Sequence, residues 1–259
     1  MSNDSISKTF LVAALLCVVC SVLVSSAAVG LKPIQEFNKE LETKKNILSA
    51  AGLLKPNTDI EATFKKIKLQ VVELETGNLV TDDAFKNFDQ KKAVKNPKLS
   101  IDIPEAKDLG KIKRRAKYAQ IYLVMDQDKI STIVLPIYGK GLWSTMYAFL
   151  AIEGNTNVIK GLSFYEHGET PGLGGEVDNP LWKKQWEGKQ IYDTSGNLAI
   201  TILKGKVDPA KPEAVHQVDG LSGATLTTVG VRNFIHYWLD ENGFAPFLKK
   251  IRSKGEENG

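Results

Sequence analysis

A run of small, hydroxyl-bearing and glycine residues, Asp219-Gly220-Leu221-Ser222-Gly223-Ala224-Thr225-Leu226-Thr227-Thr228, stands just ahead of an apolar helical stretch. A helix starting there turns unpaired backbone N–H groups and the positive end of its dipole toward the run, an arrangement that favours a phosphate. Gly223 and Ala224 would let a ligand come close to the backbone. An ordinary N-cap accounts for the same residues, with Ser222 capping and the threonines merely adjacent, and the residues alone leave both readings open. The G-x-x-x-x-G-K-[ST] phosphate loop is excluded, because its pattern and its lysine are missing. A second segment, His167-Gly168-Glu169-Thr170-Pro171-Gly172-Leu173-Gly174, combines a tight turn at Pro171-Gly172 with glycines that let backbone approach a flat ring. Alone it reads equally as a surface turn. His216 and His236 show no metal-ligand spacing, and no nucleophile elbow or Ser/His/Asp order occurs.

The elements that must position these segments follow from periodicity. Segments 118–125, 130–138, 143–152 and 157–165 are rich in Ile, Val, Leu, Tyr and Phe, with turn residues between them. Connections this short suit an antiparallel meander. Asn179-Pro180 predicts an N-cap and first helical residue, residues 189–204 a hairpin around Ser195-Gly196-Asn197, and residues 224–242 a helix with Phe234, Ile235, Trp238 and Leu239 on its apolar face. Upstream, Ile34, Phe37, Leu41 and Leu48 recur at helical spacing up to Gly52. Thr58-Asp59-Ile60-Glu61 predicts a capping box opening a second helix with Phe64, Ile67 and Val71 on one face. Residues 76–115 read as polar loop. The fold class expected is α+β, a mainly antiparallel sheet with packed helices. The division expected is a tail over 1–9, a transmembrane helix over 10–31, a membrane-proximal region over 32–117 and the sheet domain over 118–259.

The anchor is read from Phe10 to Leu31, which carries no charged residue. About 20 helical residues span the roughly 30 Å hydrocarbon layer, and backbone in lipid must satisfy itself. Small residues at Ser25-Ser26-Ala27-Ala28 would also suit a cleaved signal peptide, but the n-region holds only Lys8, which favours a retained anchor. Lys32, Lys39, Lys44 and Lys45 follow the helix and would by simple count keep the C-terminal domain in the cytoplasm; such counts are poor guides for long domains. The two cysteines, Cys17 and Cys20, both lie in the anchor, so no disulfide framework exists downstream. Their spacing fits plain apolar packing or a cluster shared with a partner protein. A net charge of +4, with basic and acidic residues mixed, lacks the strong basic footprint of a nucleic-acid binder; the densest basic run, Lys111, Lys113, Arg114, Arg115 and Lys117, reads as a solvated face, with an anionic-lipid or nucleic-acid patch as the alternative.

The run Asp219-x-x-Ser222-Gly223-Ala224-Thr225 resembles the flavinylation motif of the FMN-binding domain family, and Glu169-Thr170-Pro171-Gly172-Leu173-Gly174 resembles the loop that lies beside the flavin in that family. The resemblance implies FMN held covalently by a phosphoester to Thr225, placed there from FAD by a flavin transferase, with Thr227 and Thr228 as weaker attachment candidates. By the same resemblance Leu142 and Trp143 contribute to the flavin pocket, although an ordinary strand start explains them as well. One anchor, a long middle region and then the flavin domain is a layout similar to the C subunits of sodium-pumping NADH:quinone oxidoreductases; the G subunits of Rnf complexes share both motifs but are typically shorter. The implied role is electron relay through FMN beside other subunits of a bacterial inner-membrane complex, with the flavin domain in the periplasm. No G-x-G-x-x-G fingerprint is present, so NADH is expected to be oxidised by another subunit. The rival readings are a tethered FMN-binding module without redox function and an independent flavin reductase.

Overall fold

The structure, a computed structural model, describes residues 5–82, 85 and 88–257. Residues 1–4 of the tail expected over 1–9 lie outside the described residues. The chain divides into two units, Met1–Thr43 and Lys44–Gly259. The first unit is helical, the start of α1 (Ile6–Ala50), and every described side chain from residue 5 to residue 40 is exposed. This is the one helix long and apolar enough to cross a membrane among the described residues, with a mean hydropathy of 2.6 over its most apolar window. The sequence suggests two helices parted at Pro33, but α1 runs through that proline. Pro33 removes one i→i−4 hydrogen bond and crowds the preceding turn, yet the helix continues on both sides of it.

The second unit opens with the short helix α2 (Ile60–Phe64) and strands β1 (Ile67–Glu73) and β2 (Leu79–Val80). Next come α3 (Gln90–Val94), β3 (Ser100–Asp102) and β4 (Arg114–Ala116). The long strands are β5 (Tyr118–Asp126), β6 (Lys129–Lys140), β7 (Thr145–Glu153) and β8 (Ile159–Glu166). After them lie α4 (Pro180–Lys184), β9 (Thr201–Ile202), β10 (Gln217–Val218), α5 (Thr225–Leu239) and α6 (Ala245–Glu257). Six strands form one antiparallel sheet in the order β2-β1-β5-β6-β7-β8. The four expected strands are β5 to β8, and Tyr192 and Leu198 bridge around the expected turn at 195–197. Asn179 caps α4 as read, its Oδ1 accepting from the Leu181 N–H at 2.9 Å.

Three local readings change. Residues 76–115, read as polar loop, hold β2, α3 and the paired strands β3 and β4, elements too short to show a period in the sequence. Asp59, not Thr58, caps α2, accepting from the Ala62 N–H at 3.0 Å. Ile67 and Val71 lie on β1, which pairs with β5 along its whole length. Their spacing of four fits one helix face, but it also places both on one face of a strand. The sheet therefore draws on residues inside the 32–117 segment. The helix α6 has no counterpart in the sequence pattern.

The sheet buries both faces. Leu135, Ile137, Ala148, Leu150 and Phe164 pack against α5 and α6, with Trp186, Phe234, Trp238 and Phe244 fully enclosed. Each buried Leu, Ile or Phe among these contributes roughly 1.5–3 kcal/mol through burial. The opposite face, with Val134, Phe149 and Ala151, packs on Ile47 and Ala50 of α1 and on Ala51 just beyond it. Close approach seats α5 on β6: a Cβ on Gly139 would fall 2.2 Å from Cβ of Phe234, and one on Gly230 would fall 2.4 Å from the Lys140 carbonyl oxygen. This contact fixes where the N-terminus of α5 points.

Candidate functional site at the N-terminus of α5

Three loops meet at the start of α5, and one carboxylate joins them. Glu169 is 5% exposed. Its Oε1 accepts from the N–H of Trp143 at 3.0 Å and of Ser144 at 3.2 Å, and from the Ser144 hydroxyl at 3.3 Å. Its Oε2 accepts from the Leu142 N–H at 3.2 Å and the Thr227 hydroxyl at 2.6 Å. Burial pushes this carboxyl up, but the Thr227 hydroxyl and the three backbone N–H groups favour the charged form more strongly and hold it below the ordinary carboxylate value. The ionised Glu169 thus ties the 141–144 turn and the 167–174 loop to the first turn of α5.

The 167–174 loop is built as its sequence suggests. Leu173 N–H donates to the Thr170 carbonyl at 3.1 Å, with Pro171 and Gly172 between them and Gly172 at φ +76; this is the type II pattern, which needs positive φ at its third residue. Glu169 N–H donates to His167 Nδ1 at 3.2 Å. That leaves the proton on Nε2, which lies 2.8 Å from an Asp178 carboxylate oxygen. Gly174 sits against the carboxylate hub, where a Cβ would fall 2.6 Å from Oγ1 of Thr227.

Asp219 is also occupied by the protein. Its carboxylate accepts from Val207 N–H at 2.7 Å and from Gln185 Nε2 at 3.2 Å, and its carbonyl accepts from Trp182 Nε1 at 2.8 Å. It pins the loop entering α5 rather than facing outward. Gly223 adopts φ +70 beside the Leu173 side chain. The N-cap is Ala224, and no side chain caps the helix, so Ser222 does not take the capping role. The N–H groups of Thr225, Leu226 and Thr227 have no intrahelical acceptor at this end.

The three threonines separate cleanly. Thr227 is 1% exposed and donates to Glu169; Thr228 is 3% exposed, and its hydroxyl donates to the Ala224 carbonyl at 3.0 Å while accepting from Leu221 N–H at 3.1 Å. Thr225 is exposed at the first position of the helix. Leu142, Trp143, Leu173 and Leu226 are also exposed, Trp143 to 67%. Exposed apolar groups beside unpaired N–H donors suit a ligand with a flat ring and a phosphate. The structure thus brings together Leu142, Trp143, the 169–174 loop and the 222–225 run, with Asp219 behind them. Sequence reasoning misses the structural roles of Ser144 and Thr227. A glutamate that must be buried needs donors, and hydroxyls within the motifs are where such donors would be sought. Cys17 and Cys20 are free and exposed on α1. Among the described residues, no three His, Cys, Asp or Glu side chains gather as a metal site would require.

The FMN-binding domain family matches residues 141–240, which contain all three segments. The C subunit of the Na(+)-translocating NADH-quinone reductase of Pseudomonas aeruginosa is 48% identical over 259 residues, covering 98% of this chain and 99% of that protein. The protein of the same name from Neisseria meningitidis serogroup B is 48% identical over 257 residues, covering 98% of each. The crystal structure of Shewanella oneidensis NqrC superposes with a TM-score of 0.76 at 37% identity, covering 83% of this chain and 99% of that one.

Proposed function

This chain belongs to the NqrC family, the C subunits of the Na(+)-translocating NADH-quinone reductases, and from that premise we propose that it carries FMN as a phosphoester on Thr225 and relays electrons through it. The observation that carries the reading is the exposure of Thr225 beside two neighbouring threonines whose hydroxyls are buried and occupied. In the attachment the Thr225 Oγ–phosphorus bond forms, the pyrophosphate P–O bond of FAD breaks, AMP leaves and the hydroxyl proton is released. A flavin transferase is the partner that this step requires.

The bound flavin would supply one- and two-electron redox chemistry; the chain supplies attachment, orientation and environment. The N–H groups of Thr225, Leu226 and Thr227 favour the phosphate charge. Leu142, Trp143, Leu173 and Leu226 offer apolar surface to the ring, and Gly172 and Gly223 leave room beside it, a Cβ on Gly172 meeting nothing within 4 Å. Glu169 acts one layer back, holding the 141–144 turn at a fixed distance from α5. Asp219 steadies the opposite flank of the loop.

A single helix with no ionisable carboxylate between Phe10 and Leu31 offers no ion path of its own. Sodium translocation and NADH oxidation accordingly fall to the assembled complex and its other subunits. We place the Lys44–Gly259 unit on the periplasmic side of a bacterial inner membrane, anchored by α1. The test is substitution in the native host followed by denaturing electrophoresis under ultraviolet light. Thr225→Val abolishes the fluorescent band, whereas Thr228→Val keeps it. A band that survives Thr225→Val overturns the assignment.

A further inference from the structure

A cavity of about 500 Å³ opens on the second unit, and none of its lining residues belongs to the segments that converge on Thr225. Its floor is aromatic. Tyr138, Tyr147 and Tyr165 form a row across β6, β7 and β8, with ring centroids 5.4 and 5.9 Å apart and the first pair stacked at 25°. Its rim is cationic: five Lys and Arg side chains face one carboxylate, Glu166. Lys91 is engaged by Glu166 at 2.6 Å and stands 3.6 Å over the Tyr147 ring, and Arg114 is paired with Asp102 at 2.7 Å. Lys95, Lys111 and Lys113 have no ion-pair partner among the described residues.

Two further features define the wall and its rim. Gln90 Nε2 and the Tyr138 hydroxyl are both buried on this lining without a hydrogen-bond partner. Both atoms are closed off from solvent, as are Trp186 Nε1 and the Tyr237 hydroxyl away from this lining, so they make the wall polar without marking a contact to an occupant. In addition, Lys111 and Lys113 both take left-handed backbone, at φ 51 and 64. Long side chains seldom adopt it, and such strain persists where the surroundings impose it. Here the Asp108 carboxylate imposes it, accepting from Ile112 N–H at 2.8 Å and Lys113 N–H at 2.7 Å. The loop is thus held with two unpaired ammonium groups at the mouth of an aromatic cavity.

We propose that this cavity binds a small anionic ligand combining a flat aromatic body with a phosphate or carboxylate group. The ring would lie on the tyrosine row and the anion would meet Lys111 and Lys113. Charge alone is an insufficient account, because a solvated lysine face does not need a row of three tyrosine rings beneath it.

The probe is 1-naphthyl phosphate, titrated into the full-length flavin-bearing chain in neutral detergent by isothermal titration calorimetry, against a detergent blank. Inorganic phosphate and glycerol 1-phosphate, the latter standing for a lipid headgroup, are titrated in parallel. The expected result is saturable 1:1 binding, at least tenfold tighter than either non-aromatic phosphate, and weakening with salt. The double variant Lys111→Asn/Lys113→Asn, chosen because asparagine tolerates left-handed backbone, should lose at least tenfold in affinity. Tyr147→Leu, which removes the central ring, should lose a similar factor. Circular dichroism melts confirm that the variants are folded. No saturable binding, equal affinity for glycerol 1-phosphate, or unchanged binding in the folded lysine variant overturns the proposal.

Discussion

Replacing Glu169 by glutamine tests the carboxylate hub with almost no change in volume. The side-chain amide keeps one oxygen, which can still accept from Trp143 and Ser144, but it places an NH2 where Oε2 now accepts from Leu142 N–H and Thr227. Thr227 can turn to accept; the Leu142 N–H cannot, and two donors then face each other in a site 5% exposed. An unsatisfied buried donor costs about 1–3 kcal/mol, and charge-assisted hydrogen bonds contribute about 1.5–3 kcal/mol each. Glu169→Gln should therefore destabilise by about 3 kcal/mol, which lowers the melting temperature by about 6–12 °C for a unit of this size. The assay is thermal unfolding of the full chain in detergent, followed by circular dichroism at pH 7 and below. The pH dependence gives a second, signed readout. The folded-state pKa of Glu169 lies below its ordinary value of 4.5, so its contribution is present above that value and is lost as pH falls through the depressed one. The gap between wild type and variant should shrink in acid. A variant melting within about 1 °C of wild type at pH 7, where at least 6 °C is expected, or a gap that widens in acid, refutes the hub.

The remaining predictions address the same site from other sides. Gly174→Ala should cost about 1–3 kcal/mol by overpacking, because its Cβ would meet Oγ1 of Thr227 at 2.6 Å and Oε2 of Glu169 at 2.9 Å; the same melts measure it. Thr225→Val lies on an exposed first turn and should change stability by no more than about 0.5 kcal/mol, while removing all covalent flavin. Trp143→Ala, at a side chain 67% exposed, should leave the melting temperature within about 2 °C but change the fluorescence yield of the bound flavin. Lys206→Cys, at an exposed position, should react with a membrane-impermeant maleimide in intact spheroplasts; labelling only after lysis would place the unit on the cytoplasmic side.

Much of this architecture can be read from residue patterns, and the exceptions have physical causes. Strands β5 to β8 are apolar runs separated by short turns, and that pattern favours one topology. β1 reads as helix because Ile67 and Val71 satisfy both periods, and only pairing with β5 decides between them. α6 is invisible in the pattern because its charged residues mask Phe247, Leu248 and Ile251, which are drawn into the core through tertiary contact. The three segments at the site are legible as motifs. Their division of labour is not: Asp219 and Glu169 look like ligand groups, yet their carboxylates are taken up by protein donors. The choice among Thr225, Thr227 and Thr228 likewise depends on burial, which sequence spacing only hints at. The cationic rim of the second cavity looks like a solvated face because the tyrosine row beneath it is scattered over three strands.

The most direct test of the central claim is mass spectrometry of the chain purified from its native membrane and digested. The peptide containing Thr225 should carry the added mass of FMN less one water, with fragmentation placing it on Thr225. An unmodified peptide from that source, or the same mass on another residue, would contradict covalent attachment at Thr225.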